Sequence, residues 1–395
     1  MTMPNHHGKN HTIPAPGHRR SRAWIVVLAA LWTLWGCGPR DETLRIGLLI
    51  DSGVHIGQPT AQAARLVERE VEARGGVEIG GRRYPLELIV AETNNSPEDA
   101  VAAAQRLINV EGVLALVGPS ISRSAIPVAR LAERAGVVMV SPASTRDELT
   151  VDKEFVFRVT YTDSTQLEAL ARFVVGTPEI SRLAVLYDVT DVYSRRNAEE
   201  FRALLASTDL EITAFEPYTA GETDFSEHLR RIAQTEPDTL FLPNYSDDVI
   251  AQANQARAMG LGVTFVGSDG WTPQRLEGIK SLEGAYLSKS WSLDWGRTQV
   301  RSRAFIETYE ALDGREPHNV SALTYDAFGV LFWALGKAGT LDAVKVRDQL
   351  QGLEDYGGVS GTFSYRGTGG NPRRPVTILR LGDGTKPEFH RLIEP

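Results

Sequence analysis

From Thr43 onward, short apolar runs alternate with amphipathic stretches of helical period, and they do so in two successive series. That alternation is the pattern of βαβ units around parallel sheets, and it excludes all-helical and all-β folds. Leu44–Ile50 reads as the first strand. The helix after it, Gln58–Ala73, turns Ala61, Ala64, Leu66 and Val71 inward and Arg65, Glu68, Arg69 and Glu72 outward, until Gly75-Gly76 stops it. Strands at Leu86–Val90, Val113–Val117 and Val137–Val140 complete the first series. The second opens after Phe155–Val159, with strands at Leu183–Tyr187, Glu211–Phe215, Thr239–Leu242 and Val263–Val266. Strands recur about every 25 residues in both, which predicts two lobes of one topology. The C-terminal part then changes character. Helices near Val300–Leu312, Val320–Ala338 and Leu341–Leu353 precede two strand-like runs, Gly358–Tyr365 and Pro375–Leu381, with a hairpin turn expected at Gly367–Pro372.

A length of 395 residues suits two domains better than one core. Only four of the 42 Lys and Arg residues lie in the first 36 positions, and all 50 Asp and Glu lie beyond them. The remainder is therefore distinctly acidic, which argues against a nucleic-acid partner.

The first 36 residues read as a signal peptide. A basic, His-rich stretch leads into Ala23–Trp35, thirteen uncharged residues, too short to span a bilayer comfortably and right for a signal-peptide apolar region. Leu34-Trp35-Gly36-Cys37 resembles the bacterial lipobox, although Trp35 departs from the small residue usual there. Cys37, the single cysteine, is thus the expected acylated residue, with 37–43 a lipidated linker and the lipid the sole anchor.

Function is expected where strands end. Gly118-Pro119-Ser120-Ile121-Ser122 follows one strand and opens into a helix; Ser141-Pro142-Ala143-Ser144-Thr145 follows the next. Unpaired N–H groups and the positive end of a helix dipole gather at such a place, which suits a small carboxylate. In parallel sheets, ligands sit beyond the carboxyl ends of strands. Ser122 alone reads as a helix N-cap; the hydroxyls of Ser144 and Thr145 after the next strand point instead to a ligand. For a cation, Asp269 stands between Gly267-Ser268 and Gly270, where little bulk blocks its approach. Trp271 reads equally as a pocket wall or a filler.

The order Ile46-Gly47-Leu48-Leu49-Ile50, Arg74-Gly75-Gly76-Val77, Gly118-Pro119-Ser120, Ser141–Thr145, Phe157-Arg158-Val159, Thr223-Asp224-Phe225, Gly267-Ser268-Asp269-Gly270 and Gly358–Phe363 resembles a known family. It is that of periplasmic solute-binding proteins of the branched-chain amino-acid (Leu/Ile/Val-binding) class, in lipoprotein form. The resemblance implies an α/β fold of two Rossmann-like lobes with parallel sheets, joined by a three-crossover hinge (the type I arrangement). Crossings are then expected near Thr160–Ser164, Lys289–Leu293 and Leu353–Gly357. Lobe 1 would hold 44–161 and 292–354, and lobe 2 would hold 162–290 and 357–395.

The resemblance also implies roles. Ser122, Ala143 and Thr145 match family contacts, with Ser144 beside them and the Ala143 carbonyl facing the ligand's ammonium. Asp269 matches the family's acidic residue. Tyr193 falls where a tyrosine is usual, with Ser194 in place of the following glycine, and Tyr245 is a further candidate. The first loop, Asp51–Gly57, departs from the family's pattern and brings Asp51 and His55 near the cleft. The expected function is capture of a small amino acid or related carboxylate, between closing lobes, for an ABC-type permease. A sensory module on the same fold and a hydrolase or amidase are the alternatives. No catalytic motif, metal-ligand spacing or cofactor loop is present, so no enzyme activity, cofactor or metal is expected.

Overall fold

The computed structural model describes Thr43–Glu394. The expected signal peptide, Cys37 and the linker up to Glu42 lie outside the described residues. The chain runs β1 (Leu44–Ile50), α1 (Gly57–Ala73), β2 (Val77–Ile79), β3 (Arg82–Tyr84), β4 (Leu86–Glu92), α2 (Pro97–Asn109), β5 (Ala115–Val117), α3 (Ser122–Ala135), β6 (Val138–Ser141) and β7 (Val156–Arg158). Next come α4 (Asp163–Val175), β8 (Arg182–Asp188), α5 (Val192–Leu205), β9 (Glu211–Tyr218), α6 (Ser226–Ala233), β10 (Thr239–Leu242), α7 (Ser246–Ala258), β11 (Thr264–Gly267), α8 (Pro273–Leu276) and β12 (Tyr286–Lys289). The rest is α9 (Leu293–Thr298), α10 (Val300–Asp313), α11 (Asn319–Ala338), α12 (Ala343–Gln351), β13 (Tyr356–Gly357), β14 (Thr362–Phe363), β15 (Val376–Leu381) and β16 (Pro387–Ile393).

Two sheets result. The first has the order β4-β1-β5-β6-β7, all parallel. The second has the order β16-β15-β12-β11-β10-β8-β9, parallel from β12 to β9 and antiparallel at β15 and β16. Counted along the chain, the parallel strands of both sheets follow the order 2-1-3-4-5, the doubly wound pattern with a switch point between its first and third strands. The two series are one topology used twice.

Local chemistry explains where helices begin and end. Ser96 caps α2 by accepting the Asp99 N–H, with Pro97 in its first turn and Glu98 and Asp99 facing the positive end of the dipole. Such a cap contributes about 1 kcal/mol. Helix α3 ends at Gly136, whose φ of 64° is the left-handed conformation that glycine adopts without strain.

Each sheet is covered on both faces, as parallel sheets must be. One face of the first sheet packs against α1, α11 and α12 through Val67, Leu323, Phe328 and Leu350, and the other against α2 and α3 through Ala104, Leu107 and Val128. The second sheet is sandwiched between α4 and α5 (Leu170, Phe173, Phe201) and α6 and α7 (Leu229, Val249, Ala253). Among the described residues no single helix is long and apolar enough to cross a membrane.

The C-terminal part departs from expectation. The hairpin across Gly367–Pro372 is only a single bridge between Ser364 and Arg373. Residues after Gly357, expected with the second sheet, pack first on the other one. Phe363 and Tyr365 enter its core, the Tyr365 hydroxyl donates to the Arg158 carbonyl at 2.6 Å, and the Arg158 N–H donates to the Gly370 carbonyl at 3.0 Å. The chain reaches the second sheet only at β15, after Phe363 and Tyr365 are buried in the first core, Tyr365 against Phe157 of β7. The pairs β2–β3 and β15–β16 escaped the sequence reading.

Candidate ligand-binding site

The switch point of the first sheet holds the first group of site residues. Asp51, directly after β1, is 2% exposed. Its carboxylate accepts the N–H groups of Ser120 (2.7 Å) and Ile121 (3.1 Å) and the Thr93 hydroxyl (3.0 Å). Burial raises its pKa, and these three bonds oppose the rise. Two of the backbone donors expected to be open to a ligand anion are therefore occupied from within the protein.

Ser122 is the first residue of α3, not its cap; Ile121 holds the cap position. Its hydroxyl lies 2.9 Å from that of the buried Ser144 and accepts the Arg146 N–H at 3.4 Å. The Ser144 carbonyl accepts from the Arg158 guanidinium at 2.9 Å. Thr145 is buried at 5% exposure, and its carbonyl accepts the Asp163 N–H at 2.8 Å. Ala143 is half-buried against the first core. Ser122 and Ser144 are thus in contact, and Ala143 and Thr145 flank Ser144 along the chain.

The second group lies at the carboxyl edge of the second sheet. Asp269 follows β11, and its Oδ1 accepts from the Tyr193 hydroxyl at 2.6 Å and from the Gln166 amide at 3.0 Å. Gln166 in turn accepts the Asp269 N–H at 2.7 Å and the Ser288 hydroxyl at 2.6 Å. Both side-chain donors thus converge on one oxygen, and among the described residues none bonds Oδ2. Burial, then the charge of Asp269, hold the Tyr193 phenol well above its usual pKa, so it stays a proton donor.

Ser194, the departure beside Tyr193, is buried; its hydroxyl accepts the Asp188 N–H at 2.9 Å and donates to Asn244 at 2.7 Å. Tyr193 reaches Asp269 despite it. Tyr245 stacks on Tyr193, with centroids 5.2 Å apart, but is 52% exposed and makes no bond to Asp269. Trp271 is a filler. It is fully buried, donates to the Leu242 carbonyl at 3.0 Å, and covers Gly267, where a β-carbon would overlap its ring.

The first turn of α4 bridges the two groups. Thr162 caps it by accepting the Thr165 N–H at 3.1 Å; Asp163 meets Thr145, and Gln166 meets Asp269. Asp163 Oδ1 is buried and has no hydrogen-bond partner among the described residues, while Oδ2 lies 4.0 Å from Arg146. Burial, then the charge of Asp269, push its carboxyl up to about 7. Asp163 and Gln166 escaped the sequence search for site residues. Their signal was the capping pattern Thr162–Thr165, which reads only as a helix start.

Further contacts join the loops around these residues. Arg196 of α5 meets Glu148 at 2.7 Å, and Glu148 also meets Arg146 at 2.8 Å. The His55 ring nitrogen Nε2 lies 3.0 Å from the Thr272 hydroxyl. Beneath, Lys289 donates to the Asp269 carbonyl while only 6% exposed, and burial lowers its pKa to about 8 against the pull of Asp269.

Chain segments running between the sheets are tied by Arg374. Its guanidinium donates to the carbonyls of Val159 (2.8 Å), Ser290 (2.7 Å) and Ser360 (2.7 Å). Behind them lies a cavity of about 420 Å³, lined by Ser290, Trp295, Ser360, Arg374 and Leu392 among others. None of the candidate residues lines it. Among the described residues no group of three His, Cys, Asp or Glu is placed to hold a metal ion.

Comparison with known proteins gives this geometry a family. The family model described as periplasmic binding protein matches residues 43–386. The leucine-specific-binding protein of Salmonella typhimurium is 26% identical over 335 residues, covering 83% of this chain and 88% of the relative. Among solved structures, a leucine binding protein from Thermotoga maritima has a TM-score of 0.78 at 25% identity, covering 89% of this chain and 99% of that one. A branched-chain amino acid transporter substrate binding protein from Streptococcus pneumoniae, in complex with isoleucine, has a TM-score of 0.78 at 26% identity, covering 90% and 100%. With a match spanning nearly all the described residues and two sheets of one doubly wound topology, the chain belongs to the periplasmic binding protein family.

Proposed function

We propose that this protein captures a small amino acid or related carboxylate between two closing lobes, outside the cytoplasm, and delivers it to an ABC-type permease. The single observation that carries this reading is Asp269 Oδ2, bonded by none of the described residues, on a carboxylate tied to Thr145 through the first turn of α4, where Gln166 meets Asp269 and Asp163 meets Thr145. A ligand carboxylate fits the hydroxyls of Ser122 and Thr145, and its ammonium fits Asp269 Oδ2 and the Ala143 carbonyl. Tyr193 orients Asp269, and Tyr245 covers Tyr193 from the solvent side. The names of the relatives, which bind leucine or isoleucine, support an amino-acid ligand.

In this reading the first lobe comprises 44–161 with 292–372, and the second comprises 162–290 with 375–394. The ligand favours closure because the two halves of its site meet only in the closed form, and it shifts the equilibrium by that difference in affinity. Cys37 anchors the protein through lipid; Cys37→Ala should move it from the membrane to the soluble fraction.

A thermal-shift screen of purified protein against amino acids, amides and small carboxylates tests the proposal. Native-state binding raises the midpoint by mass action, by about 2.7 kcal/mol of stability at a hundredfold excess over Kd. Silence across the whole panel, or turnover of an ester or amide lost in Ser122→Ala, overturns it.

A further inference from the structure

One buried corner next to Asp269 is built unlike the surroundings of a hydrocarbon. Lys289, at the end of β12, is 6% exposed, and its ammonium makes one hydrogen bond, to the neutral carbonyl of Asp269. Among the described residues no carboxylate lies within ion-pair distance of it, and the charge of Asp269 acts on it only from farther off. A buried ammonium with a single neutral acceptor is costly, and buried charges are ordinarily paired.

His318 stands in the same corner. Its Nδ1 accepts the Val320 N–H at 3.1 Å, which leaves the ring proton on Nε2. That Nε2 is buried and has no partner among the described residues. The ring lies edge-on to His55, centroids 5.9 Å apart, and His55 is fixed by Thr272. The Trp291 N–H donates to the Asn319 side chain at 2.9 Å, which brings the chain just after Lys289 against the residue next to His318. The corner thus presents an ammonium with a single neutral acceptor and an N–H donor with none among the described residues.

We propose that Lys289 and His318 form a second subsite that receives an anionic group on the ligand's side chain, making the ligand class a dicarboxylic amino acid. This rests on the amino-acid-binding reading above and adds its specificity. Asp269 Oδ2 and the Ser122–Thr145 hydroxyls hold the ammonium and α-carboxylate, and the second carboxylate supplies the missing partner of Lys289. A branched hydrocarbon side chain would leave both donors dry and unpaired, the kind of mismatch that polar sites reject strongly.

The test is titration calorimetry of the purified protein with L-glutamate, L-aspartate, L-leucine and L-lysine, repeated on Lys289→Met and His318→Asn. Methionine fills the lysine's volume without its charge, and asparagine keeps a helix-capping acceptor while removing the Nε2 donor. Glutamate or aspartate should bind wild type at least tenfold more tightly than leucine or lysine. Lys289→Met should weaken the acidic ligand at least tenfold and change leucine less than threefold; His318→Asn should weaken the acidic ligand several-fold. Tighter binding of leucine or lysine by wild type overturns this inference and leaves amino-acid capture standing. Equal losses for all ligands in Lys289→Met overturn it too, because the lysine would then act only by supporting Asp269. No binding by any amino acid overturns the reading on which it rests.

Discussion

The phenol of Tyr193 donates to the carboxylate of Asp269 over 2.6 Å, and it does so toward the same oxygen that Gln166 bonds. One oxygen is thereby engaged twice, and the other has no partner among the described residues. Asp269 is oriented before any ligand arrives, which reduces what binding must spend on ordering. Asp269→Asn should weaken an amino-acid ligand at least tenfold, about 1.4 kcal/mol. Tyr193→Phe removes only the orienting bond and should cost about 0.5–1.5 kcal/mol. Calorimetric titration of both variants checks this ordering; equal losses would show that Tyr193 touches the ligand itself.

Asp163 gives stability a pH dependence of definite sign. Its pKa is raised to about 7 in the folded protein from 3.8, so between those values the folded state holds a proton that the unfolded chain has lost. Stability from this group is therefore full in acid and falls as pH rises through that window. Asp163→Asn removes the loss, and should stabilise the protein by on the order of 2–4 kcal/mol above pH 7 while changing it little near pH 4. Unfolding midpoints of wild type and variant at pH 4 and pH 8 read this out. A difference that is the same at both values contradicts it.

Arg374 is expected to matter more than any surface charge. It is 3% exposed and satisfies the carbonyls of Val159, Ser290 and Ser360 together. Arg374→Met would leave all three buried and unpaired, at about 1–3 kcal/mol each before relaxation. A net loss of about 3 kcal/mol in denaturant unfolding is the expected outcome; a loss below 1 would mean that these segments find other partners.

The Arg196–Glu148 pair belongs to the other extreme. Its side chains are 50% and 39% exposed, so its contribution to stability should be within about 0.5 kcal/mol. Because it joins elements on opposite sides of the cleft, Arg196→Ala should instead weaken ligand binding a few-fold at low salt. That effect should fade in 1 M salt, where the screening length is about 3 Å. Binding measured at both salt concentrations separates this from a general loss of folding.

Much of this arrangement could be read from residue patterns, and what could not has physical causes. Strand–helix alternation identified the doubled sheet, since apolar runs such as Leu44–Ile50 and Thr239–Leu242 have no other way to be covered. Ser122 and Asp269 could be picked out because hydroxyls and lone acids after strands are exposed to little else. Asp163, Gln166 and Lys289 could not, because each gains its meaning from partners over 14 positions away: Thr145 for the first, Asp269 for the others. Asp51 misled in the opposite way. The departure of the first loop from the family's pattern put it near the cleft, yet its fold position lets it take the amides of Ser120 and Ile121 for itself. The late return of the chain to the second sheet was hidden for a similar reason, since nothing local distinguishes which core Phe363 and Tyr365 will fill.

A crystal structure of the protein with its tightest amino-acid ligand tests the central claim most directly. The ligand carboxylate should lie within hydrogen-bond distance of the Ser122 and Thr145 hydroxyls, and its ammonium within 3.2 Å, about the usual limit, of Asp269 Oδ2. A ligand seated in the cavity beside Arg374 and Trp295, with Asp269 Oδ2 still open to water, would contradict it.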